Sequence, residues 1–393
     1  MNRAVVTIVT RNYLAYARVL MRQCRRHDPA VDRFVVVIDR PPDGTSADVA
    51  DAEVIYGDEL GVENWPRYAF QYTPFELSCA LKPFAVDRLF AKHGYDAIVY
   101  LDGDMGLYRP LDPAWQALES CSVALTAHLL RPLPDDGLRP HESVFSHVGA
   151  YNAGFVGVRN DAAGRGFVTW WRSMLAKHCI VDLAAGYFVD QRWLCLAPGL
   201  FPGVHVLRHF GVNAGHWTLS QAAFRPQTPE DPSRPDVYVD DDPLVLFHFS
   251  GMTPLKPADY LANQNRTSLA RIPCLERLVE HYHRDLAAAG LADCAAWGCG
   301  MERLRDGTPV DRTWREAIRR EEPDFADVAD PFDTDARPDL VARFRKIEVR
   351  GQMWRRDWQV AALKGRGVTG KVRLAAHRVR DTTRAIRAFF RAA

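Results

Sequence analysis

Asp102 and Asp104 flank Gly103 directly after the apolar run Ile98-Val99-Tyr100-Leu101. Such a run of β-branched and aromatic residues predicts a buried strand. Residues i and i+2 of an extended chain point the same way, so both carboxylates can present oxygens to one object at the strand's carboxyl end. Hard oxygen donors so placed suit a divalent cation, Mg²⁺ or Mn²⁺, whose coordination shell a substrate's phosphates would complete. The plain alternative is a polar turn, since Asp and Gly both favour turns.

Other chemistry-bearing residues each have a functional and a bland reading. Lys82-Pro83 interrupts a helical face of Leu77, Ala80, Leu81, Phe84, Leu89 and Phe90; the lysine is a candidate phosphate contact, or a cation snorkelling from a core helix. Asn152 and Gly154 open an apolar strand over residues 151–158. Asp190 and Gln191 sit among apolar residues as a polar pair or a cap. His248 lies within a strand over 244–251, where a hydrogen-bonded core histidine is the ordinary occupant. His209, Asn213, His216 and Trp217 follow a strand at 204–207 and are candidates to line an acceptor pocket.

The elements that must position these residues are read from periodicity. Residues 4–10 form a strand, a helix follows with Tyr16, Val19, Leu20 and Cys24 on one side, and strands at 34–38 and 53–56 come next, the former ending in Asp39. Strand, helix, strand at this spacing predicts βαβ units and a sheet that binds ligands at its carboxyl edge. No Gly-x-Gly-x-x-Gly follows the first strand, which argues against an ordinary dinucleotide fold. A further strand at 122–127 precedes a polar, proline-bearing stretch at 130–147, read as a lid or binding loop. The helix expected at 166–179 carries Phe167, Trp170, Trp171 and Met174 as core residues.

With 393 residues, 47% of them hydrophobic and 25% charged, the chain has a globular composition and length for one large or two modest cores. The opening residues are too short and too polar an apolar run for a signal peptide or membrane span, so a cytoplasmic protein is expected. Eight scattered cysteines without a Cys-x-x-Cys pair are expected to be free thiols. From Gly351 onward basic residues greatly outnumber Asp357 and Asp381, which leaves an acidic body with a basic tail. That asymmetry speaks against general nucleic-acid binding. Val372, Ala375, Ala376, Val379, Ile386, Phe389 and Phe390 make an apolar stripe in this tail. The expectation is peripheral attachment to an anionic membrane surface, with a helix docked on the chain's own body or on a partner, a homo-oligomer included, or a basic nucleic-acid-binding tail as the alternatives.

Taken in order, Thr10 to Tyr13, Lys82, Tyr100 to Asp104, Asn152 to Gly154, Asp190-Gln191, and His248 to Gly251 with Lys256-Pro257 resemble the motifs of nucleotide-diphosphosugar glycosyltransferases of the GT-A fold. The resemblance is particularly to family 8, the group with glycogenin and lipopolysaccharide galactosyltransferases, and spans roughly residues 4–260. The interval between Gly251 and Lys256 is longer than the family pattern.

The resemblance implies an α/β fold with a Rossmann-like mixed sheet flanked by helices. The expected division is a catalytic domain over 1–270, a helical extension over 271–350 and the basic tail over 351–393. It also implies a metal, Mn²⁺ or Mg²⁺, bound by Asp102, Asp104 and His248. The donor, a UDP-sugar by expectation, would meet Thr10, Asn12, Tyr13, Gly103, Gly251 and Lys256, with Lys82 stabilising the leaving diphosphate. Asn152, Asp190 and Gln191 would face the sugar, with retention at the anomeric carbon, and the acceptor would be a glycan, a lipid-linked glycan or a protein. Two other readings are a nucleotidylyltransferase, disfavoured because Arg11-Asn12-Tyr13-Leu14 is not a glycine-rich phosphate loop, and an inactive sugar-binding scaffold of the same fold.

Overall fold

The computed structural model describes residues 1–41, 44, 47–227, 236–252, 261 and 264–348. Lys256, Pro257 and the basic tail from 351 lie outside the described residues. The described residues form two compact units, one of residues 1–61 and 76–299 and the other of 62–75 and 300–348. The first unit therefore runs beyond the boundary drawn at 270 from sequence. Its helix Pro273–Ala288 buries Leu275, Leu278, Val279, Tyr282 and Leu286 in the same core as the sheet.

Seven strands make the main sheet: β1 Arg3–Val9, β2 Asp32–Val37, β3 Glu53–Tyr56, β4 Ala97–Leu101, β6 Val123–Ala127, β7 Tyr151–Arg159 and the strand Val204–Leu207. Their spatial order is Val204–Leu207, β6, β7, β4, β1, β2, β3. β1 pairs in parallel with β2 and β4, whereas β7 runs antiparallel to both β4 and β6. The fold is thus α/β with a mixed, mainly parallel sheet flanked by helices. β4 is buried at all five positions, as expected for a central strand covered on both faces.

Helix Leu14–His27 follows a 3-10 turn at Arg11–Tyr13 and buries Tyr16, Val19, Leu20 and Cys24, the residues its periodicity selected. Arg25, Arg26 and His27 occupy its last turn, where cations complement the helix dipole. The expected apolar helix before β4 is two helices, Pro74–Ala80 and Lys82–His93, with Pro83 in the first turn of the second. The stretch at 130–147 is not wholly loop, because Phe145 and Val148 are buried on a helix at Glu142–Val148. The tryptophan helix is Ala162–Leu175, capped by the Asp161 side chain, with Phe167 and Trp171 fully buried.

β5, Met105–Leu107, leaves the main sheet and pairs antiparallel with Leu246–His248. The late strand is shorter than its apolar run because its ladder partner has only three residues. Register sets His248 opposite Met105, immediately after the Asp-Gly-Asp segment.

The second unit holds its own aromatic core. Phe344 stacks on Phe70, Trp314 and Phe325 with ring centroids 5.4, 4.8 and 4.6 Å away. Arg315, buried here, donates to the carbonyls of Phe70, Tyr72 and Met301.

Candidate metal and donor site

β4 delivers Asp102 and Asp104 to the carboxyl edge of the sheet through a tight turn in which Met105 N–H donates to Asp102 O at 3.3 Å. Asp102 N–H reaches across to Gly154 O at 2.8 Å, and Phe249 N–H donates to Asp104 O at 2.9 Å. Three strands thereby fix the segment by its backbone. Two glycines are required for closeness: a Cβ on Gly103 would lie 2.7 Å from Val9 Cγ1, and one on Gly154 would lie 2.6 Å from His248 Cε1.

Asp102, Asp104 and His248 offer ligand atoms that all lie within 4.8 Å of one another. His248 Nε2 is 3.0 Å from Asp104 Oδ1 and 3.9 Å from Asp102 Oδ2. The other oxygen of Asp102 is held by Tyr100 Oη–H at 2.7 Å and by Lys82 Nζ at 3.1 Å, which turns Oδ2 toward the cluster.

Lys82 is 2% exposed and sits between two acids, with Nζ 3.1 Å from Asp102 Oδ1, 3.0 Å from Asp190 Oδ2 and 3.0 Å from Ala153 O. Three acceptors match the three protons of an ammonium. Burial alone disfavours the cation, but Asp102 and Asp190 outweigh it and hold the Lys82 pKa well above its ordinary value. Its geometry is that of an internal counter-ion that orients Asp102 and Asp190.

Asn152 and Gln191, expected to face a sugar, are occupied internally. Asn152 Oδ1 accepts from Gly154 N–H at 2.9 Å, and its Nδ2 lies 3.1 Å from His128 Nε2. Gln191 Oε1 accepts from Ala153 N–H at 3.1 Å while Nε2 donates to Val148 O at 3.0 Å. Both amides pin the start of β7 beside the acids. Of the residues read as an acceptor pocket, Asn213 and Trp217 pack against His248, and His209 lies 3.9 Å from Asp242 in a separate hairpin region.

Thr10, Asn12 and Tyr13, expected from the resemblance to meet a donor, follow the end of β1. Tyr13 stacks on Tyr16 at 4.8 Å, and its phenol is raised by desolvation and by the Asp104 charge, which places it in electrostatic reach of the acids. Asn12 Oδ1 is buried with no hydrogen-bond partner among the described residues, an unsatisfied acceptor. Arg11 is turned away, with Nε 3.3 Å from Asp39 Oδ2 and N–H bonds to the carbonyls of Gly298 and Trp297.

The donor set fits a divalent cation on charge as well as geometry. Asp102, Asp104 and Asp190 carry three negative charges against the single positive charge of Lys82, a deficit of two. Burial lowers the His248 pKa, yet Asp104 and Asp102 more than offset this and raise it.

His128 and His216 are different, because burial drives their pKa down to about 3 and about 4. Their folded pKa values lie below the unfolded value, so the unfolded chain binds more protons once pH falls below about 6.5. Stability should therefore fall with decreasing pH, by up to about 1.4 kcal/mol per pH unit for each histidine, and level off only near pH 4 to 3. Melting temperatures measured at pH 7 and pH 5 check this, and His128→Gln should flatten the acid limb. Equal melting temperatures at both pH values would show that these imidazoles are not held neutral by burial.

Tyr100, His128 and Asn213 are the members of this arrangement to which sequence reading assigned no role in holding the metal site. Tyr100 stood inside the recognised motif, but the hydrogen bonds of His128 and Asn213 depend on residues 21 and more positions away.

No family model matches the chain. It is 30% identical over 156 residues to the uncharacterized protein YfnF of Bacillus subtilis (strain 168), covering 40% of this chain and 50% of that protein. It is also 30% identical over 182 residues to the uncharacterized protein YfnD of the same organism, covering 45% and 54%. The chain spans about half the length of the curated relatives it matches. Among solved structures it is similar to an active-site mutant of LgtC, with 15% identity, coverage of 73% of this chain and 95% of that one, and a TM-score of 0.42. A second is galactosyltransferase LgtC in complex with donor and acceptor sugar analogs, with 16% identity, 72% and 95% coverage and a TM-score of 0.39. A third is mouse xyloside xylosyltransferase 1, apo form, with 12% identity, 64% and 98% coverage and a TM-score of 0.36.

Proposed function

We propose that this chain is a metal-dependent glycosyltransferase that moves a sugar from a nucleotide-diphosphate donor, a UDP-sugar, to a glycan, lipid-linked or protein acceptor. The observation that carries the reading is the convergence of Asp102, Asp104 and His248 at the carboxyl edge of a nucleotide-binding type of sheet, in surroundings two positive charges short of neutrality. When bound, the cation, Mn²⁺ or Mg²⁺, supplies positive charge against a leaving diphosphate. Mn²⁺ is the better match, because an imidazole joins the oxygen ligands.

The chain's own residues do the rest. Thr10, Asn12 and Tyr13 hold base and ribose at the end of β1, with Gly103 leaving space at the turn. Gly251 meets the phosphates, and Lys256, outside the described residues, supplies a cation to them. Lys82 holds Asp102 and Asp190 in place, and Asp190, held beside Ala153 by Lys82 and followed by Gln191, stands next to the sugar's reacting face. Asn152 and Gln191 hold that wall of the site through the backbone of β7. The transfer retains the anomeric configuration.

A panel of nucleotide sugars tested with Mn²⁺ for nucleoside diphosphate release addresses enzyme status and donor together. The expected result is release with at least one UDP-sugar, abolished by a chelator, and a first product with the donor's anomeric configuration by NMR. Pyrophosphate release from a nucleoside triphosphate and a sugar phosphate would replace this reading with a nucleotidylyltransferase. Donor binding without turnover under any metal would make the chain a sugar-binding scaffold.

A further inference from the structure

We infer that Asn213 is a positioning residue that sets the tautomer of His248, so that the imidazole presents its Nε2 lone pair to a divalent cation; this rests on the metal-dependent reading above. The assignment follows from the direction of each hydrogen bond in one buried chain. A backbone N–H can only donate, so the Asn152 side-chain atom 2.9 Å from Gly154 N is its oxygen. The Asn213 atom 3.0 Å from that oxygen must then be Nδ2, which also lies 2.7 Å from Thr126 Oγ1. Asn213 Oδ1 is consequently the atom 3.2 Å from His248 Nδ1, and that nitrogen carries the proton. In the neutral ring Nε2 is left as a lone pair, aimed at Asp104 and Asp102.

The other end of the chain closes with the same polarity. Asn152 Nδ2 faces His128 Nε2 at 3.1 Å, so that nitrogen accepts, and His128 Nδ1–H donates to Gly149 O at 2.9 Å. A backbone donor at Gly154 and a backbone acceptor at Gly149 thus leave no freedom to reverse the relay. His128, Asn152, Asn213 and His248 are each at most 7% exposed, so water does not compete for these bonds.

The backbone narrows which residue can do this. Asn213 has φ of 58°, in the left-handed region that only Gly, Asn and Asp enter at low cost. Gly offers no acceptor to His248. Asp would accept from Nδ1–H but would set an oxygen against Asn152 Oδ1. Only Asn satisfies both neighbours.

The experiment is Mn²⁺ titration of the full chain by calorimetry, with melting temperature alongside, for wild type, Asn213→Gly and Asn213→Asp. Asn213→Gly keeps the backbone unstrained and should lose affinity 10- to 100-fold, the range seen when a partner of a metal-bound histidine is removed. Asn213→Asp should melt lower than wild type yet bind Mn²⁺ within several-fold of it, because the acceptor for Nδ1–H survives. A merely structural residue would lose affinity in step with melting temperature. Wild-type affinity in Asn213→Gly overturns the inference while leaving the metal reading intact, whereas no Mn²⁺ binding by the wild type at millimolar concentration overturns both.

Discussion

Asp104→Asn is expected to weaken Mn²⁺ binding and to slow sugar transfer by about 10³-fold, the size carried by a single electrostatic group acting where charge develops. Two effects combine. The substitution removes one of three carboxylates, so a bound divalent cation would leave an uncompensated positive charge in a partly buried site. An amide nitrogen can also replace the Asp104 oxygen that now lies 3.0 Å from His248 Nε2, and its N–H would occupy the lone pair meant for the metal. The amide is isosteric and the turn is held by backbone bonds at Asp102, Asp104 and Gly154, so the fold should survive. Initial rates of nucleoside diphosphate release and Mn²⁺ titration, at matched melting temperature, measure both effects. Turnover unchanged in the variant, or wild-type turnover undiminished by a chelator, would remove the metal from the mechanism.

How much of this was legible in the sequence depended on the range over which each feature is determined. The strand before Asp102, the apolar face of the helix at 14–27 and the βαβ alternation are set by local apolar periodicity, and the structure holds all three. That Asp102 and Asp104 act together followed from the two-residue repeat of an extended chain. The bringing of His248 to them is a matter of strand register between β5 and Leu246–His248, which no local pattern encodes; the resemblance supplied it. Lys82 was visible as a basic residue on a core helix, but its direction depended on Asp190, more than a hundred positions later. Asn152 and Gln191 were expected to face a sugar on the resemblance alone. The same residue types also satisfy buried backbone groups at a strand end, and here they do that. Asn213 was read only as a candidate to line an acceptor pocket, because its partners at Thr126, Asn152 and His248 come from three different strands.

Lys82→Met should be the most damaging single change to stability in the site, costing about 3–5 kcal/mol, because it breaks a buried ion pair and leaves the acid behind. Lys82 is placed against its own interest: it is buried, and it opens helix Lys82–His93, where the helix dipole also disfavours a cation. Its charge persists only because Asp102, Asp190 and Ala153 O surround it. Methionine matches its length without the charge. Asp190, 1% exposed, would then face burial with nothing to oppose it, and burial together with the Asp102 charge already raises its carboxyl pKa. A carboxyl whose folded pKa exceeds its unfolded value binds more protons folded than unfolded, so stability falls as pH rises through that interval. The variant should thus lose more stability at pH 8 than at pH 5, opposite in sign to the acid limb that His128 and His216 impose on the wild type. Asp190→Asn added to Lys82→Met should restore most of the stability, since no buried charge remains at either position, while transfer stays impaired because Asp102 has lost one of its two Oδ1 partners. Denaturant unfolding of the wild type, both single variants and the double variant at the two pH values gives the coupling directly. If Lys82→Met is as stable as the wild type at pH 8, Lys82 does not hold Asp190 ionised, and Asp190 must be neutral in the wild type as well.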